Sequence, residues 1–446
     1  MVYEKGNLLA EGKTKKIFEV IGSNGQMVIV ENKEDITAFD DSLRTRTFKT
    51  KSVFATTTTC RVFELLKKAG IPVAYQEQIS PIEFVALNCR MIKLEVVARR
   101  YAVGSYLKRH PELTKLERQP PHRFHRLVTE FFLKTTKGKF ISPKGETVIE
   151  GLDPQKGEED PIIFNPLEGE WKLFHSKKPT WDTNASLNRT IKDYQVVPES
   201  DIVSVRDRVV MMDDIVRKVF LVLEGAWNNL GLHFIDLKIE FGIAPGLEGL
   251  VVADVIDNDS WRLRDQNWQE LSKEAFRQGE ELTKVEEKYG IVANLVEQFR
   301  IPKQTIVLWR ASEKDALIEI TNWTKALIHP EQVTLSGHKS TSECLQKLNE
   351  LMGEYPDGGV IITLVGRSNG LGPILAAHTM WPVISVPTTV EKFPEDIWSS
   401  IRMPSSVPLL TTWPELNSIQ AAVKILANKN PLLYAILQKQ IEELDI

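Results

Sequence analysis

The chain has 446 residues, a formal net charge of −4, and apolar and charged fractions of 42% and 26%. That length exceeds one ordinary core and predicts two domains, while the slightly negative charge gives no support for nucleic acid as the main partner. No apolar run is long enough to span a membrane and no hydrophobic signal region opens the chain. The three scattered cysteines (Cys60, Cys89, Cys344) fit neither a disulfide framework nor a zinc site, so a reducing cytoplasm is expected.

Residues 1–265 mix strand and helix patterns irregularly, as in an α+β domain. The run from Leu8 to Val20, LLAEGKTKKIFEV, predicts two β segments about a glycine turn. Gly12 would let backbone N–H groups approach a phosphate, with Lys13 and Lys15 projecting to one side. Walker A spacing is absent, so a basic turn on a solvated surface is the plainer reading of this run alone. Next, EVVARRYAVGSYLKR from Glu95 to Arg109 sets Arg99, Arg100, Lys108 and Arg109 around Gly104 and Ser105. Arginines so placed can fix phosphates or carboxylates bidentately, or simply open an exposed basic helix. The Lys-, Gly-, Pro- and Trp-rich segment 136–198 predicts long loops or an insertion. Residues 201–229 carry Val209, Ile215, Val219, Leu223 and Trp227 at helix spacing.

The run 236–263 is the most informative. Asp236, Lys238 and Glu240 alternate with Leu237, Ile239 and Phe241, which predicts a strand with one charged and one apolar face. Gly242, Pro245, Gly246 and Gly249 predict a turn, and a second strand over 250–255 carries Asp254. A hairpin folded about Leu247 would set Glu240 opposite Asp254. Two opposed carboxylates beside a lysine repel each other unless a cation lies between them, and oxygen ligands of this kind suit Mg2+ with phosphates and waters. Residues 266–302 predict an amphipathic linker helix, or equally the last helix of the first domain. From residue 303 onward short β-rich runs (TIVLWR, EQVTLSG, GGVIITLVG, PVISVP) alternate with helical segments, the pattern of a doubly wound parallel sheet. Polar loops follow these strands: Ser312 to Asp315, then SGHK with His338 and Lys339, then GRSNGLGP with Arg367, Ser368, Asn369 and Gly370. In such sheets ligands bind beyond the carboxyl ends of the strands, which makes His338 the natural proton carrier.

EGKTK, EVVARRYAVGSYLKR, DLKIEFG and ADVIDNDSWRL, in that order, resemble SAICAR synthetase across residues 1–265. Ser312 and Asp315, SGHK, VGRSNGLGP and MPSSVPL resemble AIR carboxylase across 303–446, in its carbon-dioxide-using class with a flavodoxin-like sheet. The resemblance implies a fused enzyme of purine biosynthesis. Its first half would use ATP and Mg2+ to ligate L-aspartate to CAIR, the carboxylated ribonucleotide. Its second half would make CAIR from AIR and carbon dioxide, with no metal or ATP. By the same resemblance Lys13 and Lys15 bind the phosphates of ATP, Glu240 and Asp254 bind Mg2+, and Lys238 bridges nucleotide and transferred phosphoryl. Arg99, Ser105, Lys134 and Arg262 hold the substrates of the ligase. Ser312, Asp315, Lys339, Arg367, Ser368, Asn369 and Gly370 surround the ribonucleotide of the carboxylase, and His338 handles its proton. A cytoplasmic homo-oligomer, an octamer as in the carboxylase family, is also implied. Thr135, Thr136, Lys314 and Arg310 depart from the usual family residues. Two alternatives therefore stay open: the same amide ligation with another acceptor, and a carboxylase-like half that only binds or oligomerises.

Overall fold

The computed structural model describes residues 3–37, 45–47, 50–115, 120–179, 181–246, 249–315, 317–320 and 328–444. The predicted turn centre at Leu247 lies outside them. By its contacts the chain divides into two units, Met1–Arg300 with Gln440–Ile446, and Ile301–Lys439. The 266–302 stretch falls within the first unit: its helix Leu282–Val296 packs on helix Lys51–Lys68, with Val285 and Val292 buried.

In the first unit a five-stranded antiparallel sheet runs in the order Lys5–Glu11, Lys15–Val20, Met27–Asn32, Glu83–Leu87, Tyr75–Ser80. Helix Lys51–Lys68 forms because Ala55, Thr59, Val62, Phe63 and Leu66 fall on one stripe, all buried. Lys67 and Lys68 meet the negative end of its dipole, and Gly70, at φ +72°, ends it in the left-handed conformation that favours glycine.

A larger, eight-stranded antiparallel sheet carries the charged strand. Its order is Ser186–Lys192, Glu170–Phe174, Ile162–Ile163, Arg123–Leu133, Arg90–Tyr101, His233–Ile243. The last pairs on its outer side with both Leu250–Ala253 and Trp261–Arg264. Leu237, Ile239 and Phe241 are buried, and helix Val205–Asn229 packs on this strand, with the Phe220 and Phe234 rings 4.8 Å apart. Ser204 caps that helix by accepting from the Asp207 N–H at 3.1 Å. The segment expected as long loops instead supplies a short hairpin and three strands that widen the sheet: Ile162 and Ile163 pair with Phe132 and Phe131, then Glu170–Phe174 and Ser186–Lys192 follow. Its strands are two to seven residues long, so the intervening Gly, Pro and Lys dominate the composition and conceal them.

The second unit is the predicted doubly wound sheet. Five parallel strands run in the order Glu331–Thr334, Thr305–Arg310, Gly359–Val365, Val383–Pro387, Leu410–Thr411. Side chains alternate faces: Val307, Trp309 and Ile361 pack with Leu348 and Leu351 of helix Thr341–Glu354, while Ile306, Leu308 and Ile362 pack with Val423 and Leu426 of helix Leu416–Ala427. Each such side chain contributes roughly 1.5–3 kcal/mol through burial. Strand order reverses between Thr305–Arg310 and Gly359–Val365, so the loops after them flank the crevice where such sheets bind ligands. Among the described residues no helix is long and apolar enough to cross a membrane.

Candidate functional site

On the charged face of His233–Ile243 the carboxylates are buried, while the Lys238 side chain reaches solvent. Asp236 and Glu240 are both more than nine-tenths buried, and every charge on this face has a partner. Asp236 accepts from Arg99 and, at 2.6 Å, from Arg262. Lys238 donates to Glu95 at 2.8 Å, and Lys134 pairs with Glu240. Burial works against ionised Glu240, but Lys134, Lys238 and Lys15 outweigh it and hold its carboxyl below the usual range. Burial likewise works against the Lys238 ammonium, yet Glu95, Glu240 and Asp160 hold it above its ordinary value. Both groups therefore stay charged at neutral pH.

The hairpin register differs from the expected one. Glu240 faces Ala253, and Asp254 stands one residue past the last paired position. A one-residue slip would normally turn a side chain to the other face. Asp254 instead has φ +65°, a sparsely populated backbone that redirects the chain, and its carboxylate meets Lys15. Lys15, Lys134, Glu240 and Asp254 consequently line one cavity of about 210 Å³, whose opposite wall is apolar, with Val28, Val30 and Phe84. Such a cavity can take a flat base against the wall and phosphates against the lysines. Lys13 is exposed at the tip of the turn before Lys15, which is closed by a Gly12 N–H to Lys15 carbonyl bond of 2.9 Å. Among the described residues no three His, Cys, Asp or Glu gather as a metal cage.

A second cavity, of about 220 Å³, is lined by Gly104, Leu107, Lys115, Arg262, Arg264 and Glu274. Gly104 has φ +59°, and a Cβ there would come within 2.5 Å of the Arg262 guanidinium, so only glycine lets that arginine lie against the backbone. Arg99 lies beneath, bonded to Glu130 at 2.6 Å, to Asp236 and to Ser105 at 3.4 Å. It therefore orders Ser105 and, through Asp236, Arg262. Asp160 escaped the sequence reading. Burial pushes its carboxyl up to about 6, the Glu95 charge adds to this, and the Thr135 N–H and hydroxyl pull against it. Its one sequence mark is a carboxylate before Pro161 and two β-branched residues. Three residues before Arg262, Asp259 holds Lys273 (2.9 Å), Lys51 (3.6 Å) and the Tyr289 hydroxyl (2.6 Å), while burial and the Asp259 charge push the Asp257 carboxyl above its ordinary value.

In the second unit the loops after the strands converge. A Cβ on Gly370 would overlap the His338 ring, and one on Gly337 would lie 2.9 Å from Leu371 Cα. His338, Lys339, Arg367 and Ser368 are exposed. Asn369 spends its side chain on the loop itself, donating to Ser385 (2.9 Å) and Ser400 (3.0 Å) and accepting from the Gly372 N–H (2.9 Å). Arg367 lies over the Phe393 ring at 4.1 Å, with Asp396 at 3.6 Å. Ser312 Oγ accepts from the Lys314 N–H at 3.2 Å, and Arg310 donates to the Asp315 carbonyl at 3.1 Å, which ties that loop to the strand end.

The SAICAR synthetase family matches residues 8–150 and 178–295, and the AIR carboxylase family matches 305–445. The chain belongs to the SAICAR synthetase family. It carries an AIR carboxylase domain behind the synthetase, and is thus a bifunctional ligase and lyase of purine biosynthesis, as the sequence motifs implied. Similar along most of their length are the "Probable multifunctional protein ADE2" of Caenorhabditis elegans and the "Bifunctional phosphoribosylaminoimidazole carboxylase/phosphoribosylaminoimidazole succinocarboxamide synthetase" of Mus musculus. The first is 33% identical, covering 97% of this chain and 92% of its own. The second is 29% identical, covering 99% and 95%. A solved phosphoribosylaminoimidazole-succinocarboxamide synthase from Ehrlichia chaffeensis is similar to the first unit, with 20% identity, TM-score 0.49, 66% of this chain and 100% of its own. The added strands Ile162–Ile163 and Glu170–Phe174 fall in the stretch that the synthetase family leaves unmatched.

Proposed function

We infer that the first unit ligates L-aspartate to CAIR at the expense of ATP, and that the second carboxylates AIR to CAIR. The observation that carries the first assignment is the single cavity that pairs an apolar wall with Lys15, Lys134, Glu240 and Asp254. The base of ATP lies on the wall and Lys13 and Lys15 meet its phosphates. Mg2+ needs only one or two carboxylates when phosphates and waters complete its shell, so Glu240 and Asp254 suffice to hold it, and Lys15 and Lys134 are freed toward the nucleotide. Bound there, the ion would neutralise charge on the phosphates. A carboxylate is a poor electrophile; transfer of the γ-phosphoryl to the CAIR carboxylate, with ADP leaving, makes an acyl phosphate. The amine of aspartate then attacks the acyl carbon and phosphate departs. Lys238, held by Glu95, stabilises the phosphoryl in transit. Asp160, near enough to Lys238 for its charge to act on that ammonium, is the carboxylate placed to take the proton that the aspartate ammonium must lose. Arg262 and Ser105 hold the ribonucleotide, with Arg99 positioning both.

In the second unit His338 takes the ring proton released as carbon dioxide joins the imidazole carbon. Ser312 and Asp315 hold the ribonucleotide, and the Ser368–Gly370 loop, shaped by Asn369, receives the new carboxylate with Lys339 and Arg367 at its rim. A cytoplasmic homo-oligomer completes the proposal, and sizing the purified chain tests the assembly. The test of the ligase is ADP release dependent on CAIR and aspartate, which Glu240→Gln abolishes. Other amines in place of aspartate test the acceptor. A purely binding second unit, which the Arg310-tied loop would favour, predicts no carboxylation by the full chain.

A further inference from the structure

The segment Gln440–Ile446, reached only after the whole carboxylase domain in sequence, belongs by its contacts to the synthetase unit. Its anchor is Glu442, a carboxylate 5% exposed. One oxygen accepts from Arg100 at 2.5 Å and the other from the Leu127 N–H at 3.1 Å, while the Ile441 carbonyl lies 3.3 Å from His125. Arg100 is wholly buried and also holds Glu224 through two bonds, at 2.7 and 2.9 Å.

These contacts fall at an irregularity in the eight-stranded sheet. Arg99 pairs with Val128, but the next pair in register is Tyr101 with Arg123, so residues 124–127 bulge opposite Arg100. The bulge leaves backbone groups without ladder partners. Arg100 donates to the Phe124 carbonyl at 3.4 Å and the His125 carbonyl at 2.7 Å, and Glu442 takes the Leu127 N–H. Bulges beside sites re-aim neighbouring side chains. Here the neighbour is Arg99, on the opposite face, which holds Asp236 and Ser105, and Asp236 holds Arg262.

We propose that Glu442 is a positioning residue of the synthetase: it fixes the 124–127 bulge and thereby the Arg99–Asp236–Arg262 relay that holds the ribonucleotide. The proposal rests on the assignment of Arg262 to that substrate. Removing Glu442 leaves Arg100 paired with Glu224, so the sheet persists but the bulge loosens.

The full chain is the material for the test. Glu442→Ala, the isosteric Glu442→Gln, and deletion of 440–446 are compared with Arg262→Ala in steady-state ligation and carboxylation. Hydrogen exchange at the Leu127 amide reports the bulge. Loss of a charged bond predicts that Glu442→Ala raises KM for CAIR by about tenfold. Gln, which keeps one acceptor, gives an intermediate rise. The KM for ATP and the carboxylation rate stay at wild-type values, and Leu127 exchange accelerates. A rise with Arg262→Ala but none with Glu442→Ala or the deletion overturns the proposal. No rise with either shows that the Arg262 assignment itself is wrong and removes the proposal with it. Equal losses in ligation and carboxylation also overturn it, since they mark general destabilisation.

Discussion

The two catalytic regions use opposite materials. The proposed synthetase centre is a mosaic of paired charges on antiparallel strands, in which Glu95 with Lys238, Lys134 with Glu240, and Lys15 with Asp254 hold one another in place. The proposed carboxylase centre is a set of loops at the carboxyl ends of an apolar parallel sheet, where Gly337 and Gly370 allow close approach to Leu371 and to the His338 ring. The difference teaches where each is fragile. A centre made of paired charges fails when one charge is removed, because its partner is left buried and uncompensated. A centre made of loops fails when its shape changes.

The largest effects should separate the two. Lys238→Ala and Asp254→Asn are expected to lower ligation, measured as ADP release, by about 10²–10³-fold and to leave carboxylation unchanged. His338→Asn should do the reverse, with a carboxylation loss of about 10²-fold or more. If any of these folded variants loses both activities, the contrast between the regions fails. Gly370→Ala probes shape: its Cβ would displace the His338 ring, so carboxylation should fall while the charges are untouched. Unchanged carboxylation would separate His338 from that loop. A smaller, pH-dependent effect tests the mosaic. Burial pushes the Asp160 carboxyl up to about 6, so its proton-accepting form should be lost as pH falls through that value, and the ligation rate should decline on the acid side there. Asp160→Asn should flatten that limb at a low rate; an unaltered limb would assign the titration to another group. The smallest is Gly104→Ala, expected to cost about 1–2 kcal/mol in thermal unfolding from its left-handed backbone and to weaken CAIR binding through Arg262.

What could be read from sequence followed range along the chain. The alternation Asp236 to Phe241 is local, so strand and faces were legible, as were the apolar runs of the parallel sheet. The pairing of Glu240 with Ala253 was not, because it depends on turn geometry, and the positive φ of Asp254 compensates a slip that alternation alone would make fatal. Arg99 was legible as a basic residue in a telling motif, but its partners Glu130 and Asp236 lie 31 and 137 residues away. Asp160 and the strands around it were concealed by the loop-like composition of 136–198. Glu442 could not be reached at all, since nothing local ties it to a bulge at residues 124–127.

The central proposal is a ligase centre on the charged strand, separate from His338. Its most direct measurement is Glu240→Gln in the full chain, assayed for both reactions on one preparation. The prediction is loss of CAIR- and aspartate-dependent ADP release with carboxylation of AIR at the wild-type rate. ADP release at the wild-type rate would contradict it.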